Sequence, residues 1–189
     1  MIWEDASLNY ATIKNCDISN GPGVRVSLFV SGCTHHCKGC FNEVAWDFDY
    51  GEPFTQQTVD SILSMLAPNY IKGLTLLGGE PFEPQNQGPI VDLLRQVKQR
   101  YPQKSIWAFS GYLFDKDILP GRLGDPAVTN EFLSYLDVLV DGPFVESKKD
   151  LMLRFRGSSN QRLIDVPASL AAGAVVLWED WQGERKGNR

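Results

Sequence analysis

A chain of 189 residues with 43% hydrophobic and 22% charged side chains has the size and composition of one globular domain with a substantial core. Its net charge of -5 argues against a nucleic-acid binder, and no apolar stretch reaches the length of a membrane span. The start, Met1-Ile2-Trp3-Glu4-Asp5, lacks the basic-then-apolar pattern of an export signal. The expectation is a single cytoplasmic domain over residues 1–189, with 182–189 as a frayed polar tail.

Residues 1–20 carry no clear period. Asn20-Gly21-Pro22-Gly23 is a turn signal, and Val24 to Ser31 then reads as an apolar strand. Thr55 can cap a helix running to about Leu66, with Val59, Ile62, Leu63 and Leu66 on one face. Gly73 to Leu77 is a short apolar run that stops at Gly78-Gly79-Glu80-Pro81. A second amphipathic helix spans about Gln87 to Arg100, and Ser105 to Phe109 is another apolar run, stopping at Ser110-Gly111-Tyr112. Helix near Asn130 to Tyr135 leads into Leu136 to Val140, which stops at Asp141-Gly142-Pro143. Leu163 to Val166 reads as a further strand, Pro167 to Ala172 as a helical turn stopped by Gly173, and Ala174 to Trp178 as a last strand.

Alternation of short apolar strands with helices argues for a parallel sheet with right-handed crossovers. The predicted fold class is α/β, a partial, open (βα) barrel of mostly parallel strands, because a complete barrel needs about 250 residues. In such sheets the site lies beyond the carboxyl ends of the strands. The loop after the first strand and the Gly-Gly-Glu, Ser-Gly-Tyr and Asp-Gly-Pro turns would then share one rim.

That first loop is Cys33-Thr34-His35-His36-Cys37-Lys38-Gly39-Cys40, with three of the four cysteines in the protein. A loop of this spacing can turn three soft thiolates toward one point, which suits an iron–sulfur cluster or zinc. Three thiolates on a cubane leave its fourth iron open to another ligand. Structural zinc held by Cys33, Cys37 and Cys40 with His35 or His36 is the competing reading, although zinc ligands come more often as two separated pairs. A disulfide framework does not fit so few cysteines in so long a chain. Cys16 reads as a reduced bystander.

These residues resemble the radical S-adenosylmethionine superfamily, in the three-then-two spacing of the cysteines and in Gly78-Gly79-Glu80 after the second strand. Many members carry an aromatic residue just before the last cysteine, where this chain has Gly39, with Phe41 after it. Within the superfamily the chain is similar to the activating proteins of anaerobic ribonucleotide reductases. They share Asn20-Gly21-Pro22-Gly23 with Arg25, Leu28 to Cys33, Gly39 to Asn42, Trp107 before Gly111-Tyr112, Val140-Asp141-Gly142, and Arg156 to Gln161.

The resemblance implies a [4Fe-4S] cluster on Cys33, Cys37 and Cys40, with S-adenosylmethionine chelating the open iron. It implies a radical S-adenosylmethionine oxidoreductase that cleaves the cofactor reductively and takes a hydrogen atom from a glycine Cα of the large reductase subunit. A flavodoxin or ferredoxin would supply the electron. Gly39, Phe41, Gly78, Gly79, Glu80, Ser110, Tyr112, Asp141 and Arg156 are the cofactor-binding candidates. Glu80 would accept from the methionyl ammonium, the glycines would let the backbone approach it, and Arg156 would meet a carboxylate. No side chain is expected to catalyse beyond the cluster and cofactor, and His35 and His36 are expected to shape the loop. The rivals are another radical enzyme, a zinc-binding adaptor and a simple electron carrier.

Overall fold

The computed structural model describes residues 8–179, so the predicted tail at 182–189 and the first five residues lie outside the described residues. One seven-stranded sheet runs in the order β3-β1-β2-β4-β5-β6-β7. The strands are β1 (Asn9–Asp17), β2 (Val24–Val30), β3 (Glu52–Pro53), β4 (Ile71–Gly78), β5 (Ser105–Phe109), β6 (Val138–Asp141) and β7 (Arg162–Asp165). The central pairs β2–β4, β4–β5 and β5–β6 are parallel; β1 and β3 on one side and β7 on the other run antiparallel to their neighbours. The sheet is open at β3 and β7, so no closed barrel forms.

Among the described residues three α-helices connect strands, α1 (Gln56–Leu66), α2 (Pro84–Arg100) and α3 (Pro126–Tyr135), and α4 (Val166–Ala172) follows β7. Thr55 and Thr58 form a reciprocal capping box at the start of α1. Val59, Ile62 and Leu66 of α1, Ile90, Leu94 and Val97 of α2 and Phe132 of α3 pack with Val26, Leu28, Leu74, Leu76 and Ile106 in one fully buried core. The helices thus cover one face of the sheet. The alternate strand residues point to the other face, where Trp107, Val138 and Val140 pack with Phe155, Leu163 and Trp178. Among the described residues no helix is long and apolar enough to cross a membrane.

Three expectations are corrected. Residues 9–17, left unassigned above, form β1; its side chains are largely half-exposed and two register shifts interrupt it, which hides the period-two signal. Helix α2 begins at Pro84 and α3 at Pro126, earlier than their apolar periodicity suggests, because each takes proline at its first position. Residues 174–178 are not a strand but a single antiparallel bridge, Ile164 with Leu177. Gly173, left-handed at φ 63°, ends α4, and the Ser169 hydroxyl then accepts from Val176 N–H.

Arg25 ties three parallel strands together on the face away from the helices. It is fully buried, and its guanidinium donates to Thr75 Oγ1 (2.8 Å), Ser105 Oγ (2.9 Å), Leu74 O (2.9 Å) and Ser105 O (3.0 Å). The group also lies over the Trp107 ring, 5.7 Å from its centroid. Burial lowers its pKa to about 10, with Asp137 and Asp17 working the other way, so it stays charged at neutral pH. Neutral acceptors replace its hydration. Replacing Arg25 with Met removes these donated bonds, and the expected loss is about 3 kcal/mol of unfolding free energy. Urea unfolding should show an earlier midpoint at unchanged slope; a midpoint equal to that of the parent would refute this role.

Candidate functional site

The cysteine loop leaves the carboxyl end of β2, and backbone hydrogen bonds fix its first residues. Gly32 N–H donates to Ala45 O (2.9 Å) and Cys33 N–H to Trp46 O (3.1 Å). The turn after the neighbouring β4 is fused to the same place, with Gly79 N–H on Val30 O (2.6 Å) and Glu80 N–H on Gly32 O (2.8 Å). A Cβ on Gly79 would stand 2.5 Å from Gly32 O, and one on Gly78, at φ 111°, would stand 2.7 Å from Phe29 backbone. Both glycines are therefore demanded by the close packing of β2 and β4 themselves.

Behind the loop, α2 supplies two polar anchors. The Glu83 carboxylate, 4% exposed, accepts from Thr34 N–H (2.8 Å) and from Thr34 Oγ1 (2.6 Å). The Asn86 amide, fully buried, donates to Ser31 O (3.0 Å) and Glu80 O (2.9 Å). The Glu80 carboxylate, 1% exposed, accepts from Phe82 N–H (2.9 Å) and Gly111 N–H (2.7 Å), and its Oε2 sits 3.1 Å from His35 Nε2. Burial alone would push the His35 pKa down; the Glu80 carboxylate more than offsets this and holds it above the ordinary value. His35 also packs edge-on against Tyr112, and His36 stacks on Trp46 with centroids 4.6 Å apart.

These elements surround one cavity of about 530 Å³. Cys33, Cys37 and Cys40 line it together with Gly78, Gly79 and Glu80, Ser110 and Gly111, Gly142, and Phe155 and Arg156 of the long segment between β6 and β7. The turns after four parallel strands do share one rim. Burial pushes the Cys33 thiol up to about 12 and raises Cys37 as well, although the Phe144 backbone N–H works to lower Cys37. Asn42 N–H reaches Cys40 Sγ at 3.4 Å. Among the described residues no three His, Cys, Asp or Glu side chains gather about one point as a single metal ion requires. Neither histidine is set to complete a zinc site, since one faces Glu80 and the other Trp46.

The model of the 4Fe-4S single cluster domain family matches residues 19–164. The anaerobic ribonucleoside-triphosphate reductase-activating protein of Enterobacteria phage T4 is 45% identical over 156 residues, covering 82% of this chain and 93% of its own. The proteins of the same description from Vibrio cholerae serotype O1 and Escherichia coli K12 are each 41% identical, covering 82% of this chain and 96% of theirs. The chain belongs to this family of activating proteins.

Two observations test whether the residues fit a cluster with a bound amino-acid cofactor. The cavity falls within the range of about 300–1,000 Å³ that small-molecule sites occupy. The Arg156 Nε, buried in its wall, has no hydrogen-bond partner, while its Nη1 donates to Gln161 O (3.0 Å). An orphaned guanidinium donor beside the thiols is a place for a carboxylate. The group fits.

Of the predicted site residues, the three cysteines, Gly39, Phe41, Gly78, Gly79, Glu80, Ser110 and Arg156 line the cavity. Gly39 is left-handed at φ 74°, and a Cβ there would stand 3.2 Å from Glu146 Oε1. Ser110 is buried, and its hydroxyl accepts from Tyr112 N–H (3.1 Å). Tyr112 and Asp141 do not line the cavity. Tyr112 stands behind it on His35. Asp141, fully buried, accepts from Arg162 Nε (2.9 Å) and Nη2 (2.5 Å) and from Phe114 N–H (2.8 Å), so both oxygens are taken. Thr34, Glu83 and Asn86 were missed by sequence reasoning. Pro84 was the signal: read as a first helical position, it places Glu83 at the cap of α2 and Asn86 in its first turn.

Replacing Glu83 with Ala leaves the Thr34 donors without their acceptor. The expected outcome is faster hydrogen exchange at the Thr34 amide and a stability loss of about 1–3 kcal/mol; unchanged exchange would remove Glu83 from this role. In metal-free protein at pH 8, Cys33 should react with iodoacetamide on the order of a thousandfold more slowly than an unperturbed thiol. Because its pKa is raised, the rate should climb about tenfold per pH unit through pH 10, as read by mass spectrometry. A plateau below pH 10 would contradict the assigned burial.

Proposed function

We propose that this chain activates an anaerobic ribonucleoside-triphosphate reductase as a radical S-adenosylmethionine enzyme of the cytoplasm. Loaded with a [4Fe-4S] cluster and S-adenosylmethionine, the site would supply reductive cleavage of the cofactor and removal of a hydrogen atom from a glycine Cα of the large reductase subunit. The observation that carries this reading is the meeting of three thiols, the Gly-Gly-Glu turn and an unpartnered arginine donor on one cavity wall. The electron would come from a flavodoxin or ferredoxin, and the open sheet corresponds to the truncated (βα) barrel of that superfamily.

Cys33, Cys37 and Cys40 would hold the cluster. Burial raises the Cys33 and Cys37 thiols, so loading displaces protons from these two and is favoured as pH rises. Glu80 offers a buried carboxylate to an ammonium and is oriented by Phe82 and Gly111 N–H groups. His35 already occupies one side of that carboxylate, so an incoming ammonium shares Oε2 with the ring or displaces it. Arg156 offers Nε to a carboxylate. Ser110, Gly39 and Phe41 bound the remaining wall, and Leu77 and Phe109 exclude water from it. Tyr112 and Asp141 act from behind, the first by holding His35 and the second by pinning β6 to β7 through Arg162.

Anaerobic reconstitution with iron and sulfide, followed by dithionite and S-adenosylmethionine, tests the reading directly. The expected outcome is about four iron per chain with release of 5′-deoxyadenosine and methionine. Replacing Cys37 with Ala should abolish cofactor cleavage and lower bound iron, and the wild-type protein should raise a glycyl radical signal on the reductase. A colourless, zinc-loaded protein that leaves the cofactor intact would overturn the proposal and promote the structural-zinc reading.

A further inference from the structure

The segment between β6 and β7, residues 142–161, is built in two parts. Its base is bolted to the sheet end. Gln161 Oε1 accepts from Gly157 N–H (2.9 Å) and Ser158 N–H (3.1 Å), its Nε2 donates to Gly142 O (3.1 Å), and Asn160 Nδ2 donates to Pro143 O (2.8 Å). Ser158 is fully buried and bridges to Lys149 across the strap. Its tip is the reverse. Leu151 and Met152 are 87% and 88% exposed, the most exposed large apolar side chains among the described residues.

Single exposed apolar residues need no explanation, but this pair includes one that lines the reaction cavity. Leu151 lines that cavity, and Phe41, 80% exposed, lines it from the cysteine loop. Exposed apolar side chains from this segment and from the cysteine loop therefore line the same cavity as the thiols. The charge around it departs from that of the whole chain: residues 144–156 carry four basic and two acidic side chains in a protein of net charge -5. One of those two acids, Glu146, is paired with Lys38 of the cysteine loop at 3.2 Å.

We propose that the strap tip, Lys148 to Arg154, is the docking surface for the reductase segment that enters the cavity, and that this segment presents an apolar anchor flanked by acidic side chains. The inference rests on the function proposed above and names the surface that selects its protein substrate. A macromolecular substrate has to cross this rim to reach the thiols. The bolted base holds the tip in place, so little ordering is needed on binding.

The test uses the reconstituted full chain, the full reductase and dithionite as the electron source. Met152→Ser removes the apolar surface that would receive the anchor and Lys148→Glu reverses a charge; neither residue lines the cavity. Both variants should cleave S-adenosylmethionine without reductase within about twofold of the wild-type rate, while reductase affinity by calorimetry and glycyl radical yield at limiting reductase fall about tenfold. Wild-type affinity and yield in both variants would overturn the docking surface while leaving the function intact. A defect seen only with flavodoxin as reductant would overturn it by assigning the patch to the electron donor. Loss of a wild-type dimer in sedimentation would assign the patch to a second copy of the chain and overturn it equally. A wild-type protein that never cleaves the cofactor would overturn the functional reading and this one with it.

Discussion

The cysteine loop and the acid that faces it cannot move independently, because two backbone hydrogen bonds, Gly79 N–H to Val30 O and Glu80 N–H to Gly32 O, weld the end of β4 to the end of β2. The weld follows from parallel pairing in register up to Val30 and Gly78. It also explains the glycines: no side chain fits between Gly79 and the Gly32 carbonyl. Once the two turns are joined, Asn86 satisfies the carbonyls of Ser31 and Glu80 that the junction leaves buried. The site is thus an outcome of strand register, refined by side chains from the first turn of α2.

The two faces of the sheet divide the work. On the helix side the buried side chains are aliphatic and aromatic, and they supply the hydrophobic term that holds the fold. On the other side lie Arg25, Ser27, Thr75 and Trp107, and the cavity opens over Leu77 and Phe109. Arg25 shows how this face carries charge without a directly bound carboxylate: carbonyl and hydroxyl oxygens from β4 and β5 replace its water. The thiols follow the opposite logic. Burial keeps Cys33 neutral in the metal-free loop, and its ionisation waits for the metal.

Sequence reading recovered the strands and helices whose signal is apolar. Strand β5 and the span of α1 were read at their observed bounds because Ile106 to Phe109 and the Val59–Leu66 face are unambiguous. It failed where polar residues do structural work. β1 was invisible because β3 pairs with only its first two residues, so Thr12, Lys14 and Asn15 stay exposed while bulges break the alternation. The first turn of α2 was missed because its buried residues, Asn86 and Gln87, are polar and make hydrogen bonds instead of hydrophobic contacts. That omission hid Glu83, the anchor of the cysteine loop.

The cysteines and the Gly-Gly-Glu turn could be placed in one site from spacing and topology alone, but the remaining polar candidates could not be ranked that way. Asp141 and Arg156 look alike in sequence, each a charged residue just before a glycine, one at the end of β6 and one in the segment beyond it. The difference lies in how many of their hydrogen-bonding groups already have partners. Asp141 is saturated by Arg162 and Phe114 and has nothing left for a ligand. Arg156 has Nε buried and unpaired on the cavity wall. A buried donor without an acceptor costs the fold about 1–3 kcal/mol, and a protein that carries that cost in its cavity regains it when an anion binds. Arg156 thus keeps a donor for a ligand where both oxygens of Asp141 are engaged, and only the three-dimensional arrangement tells the two apart.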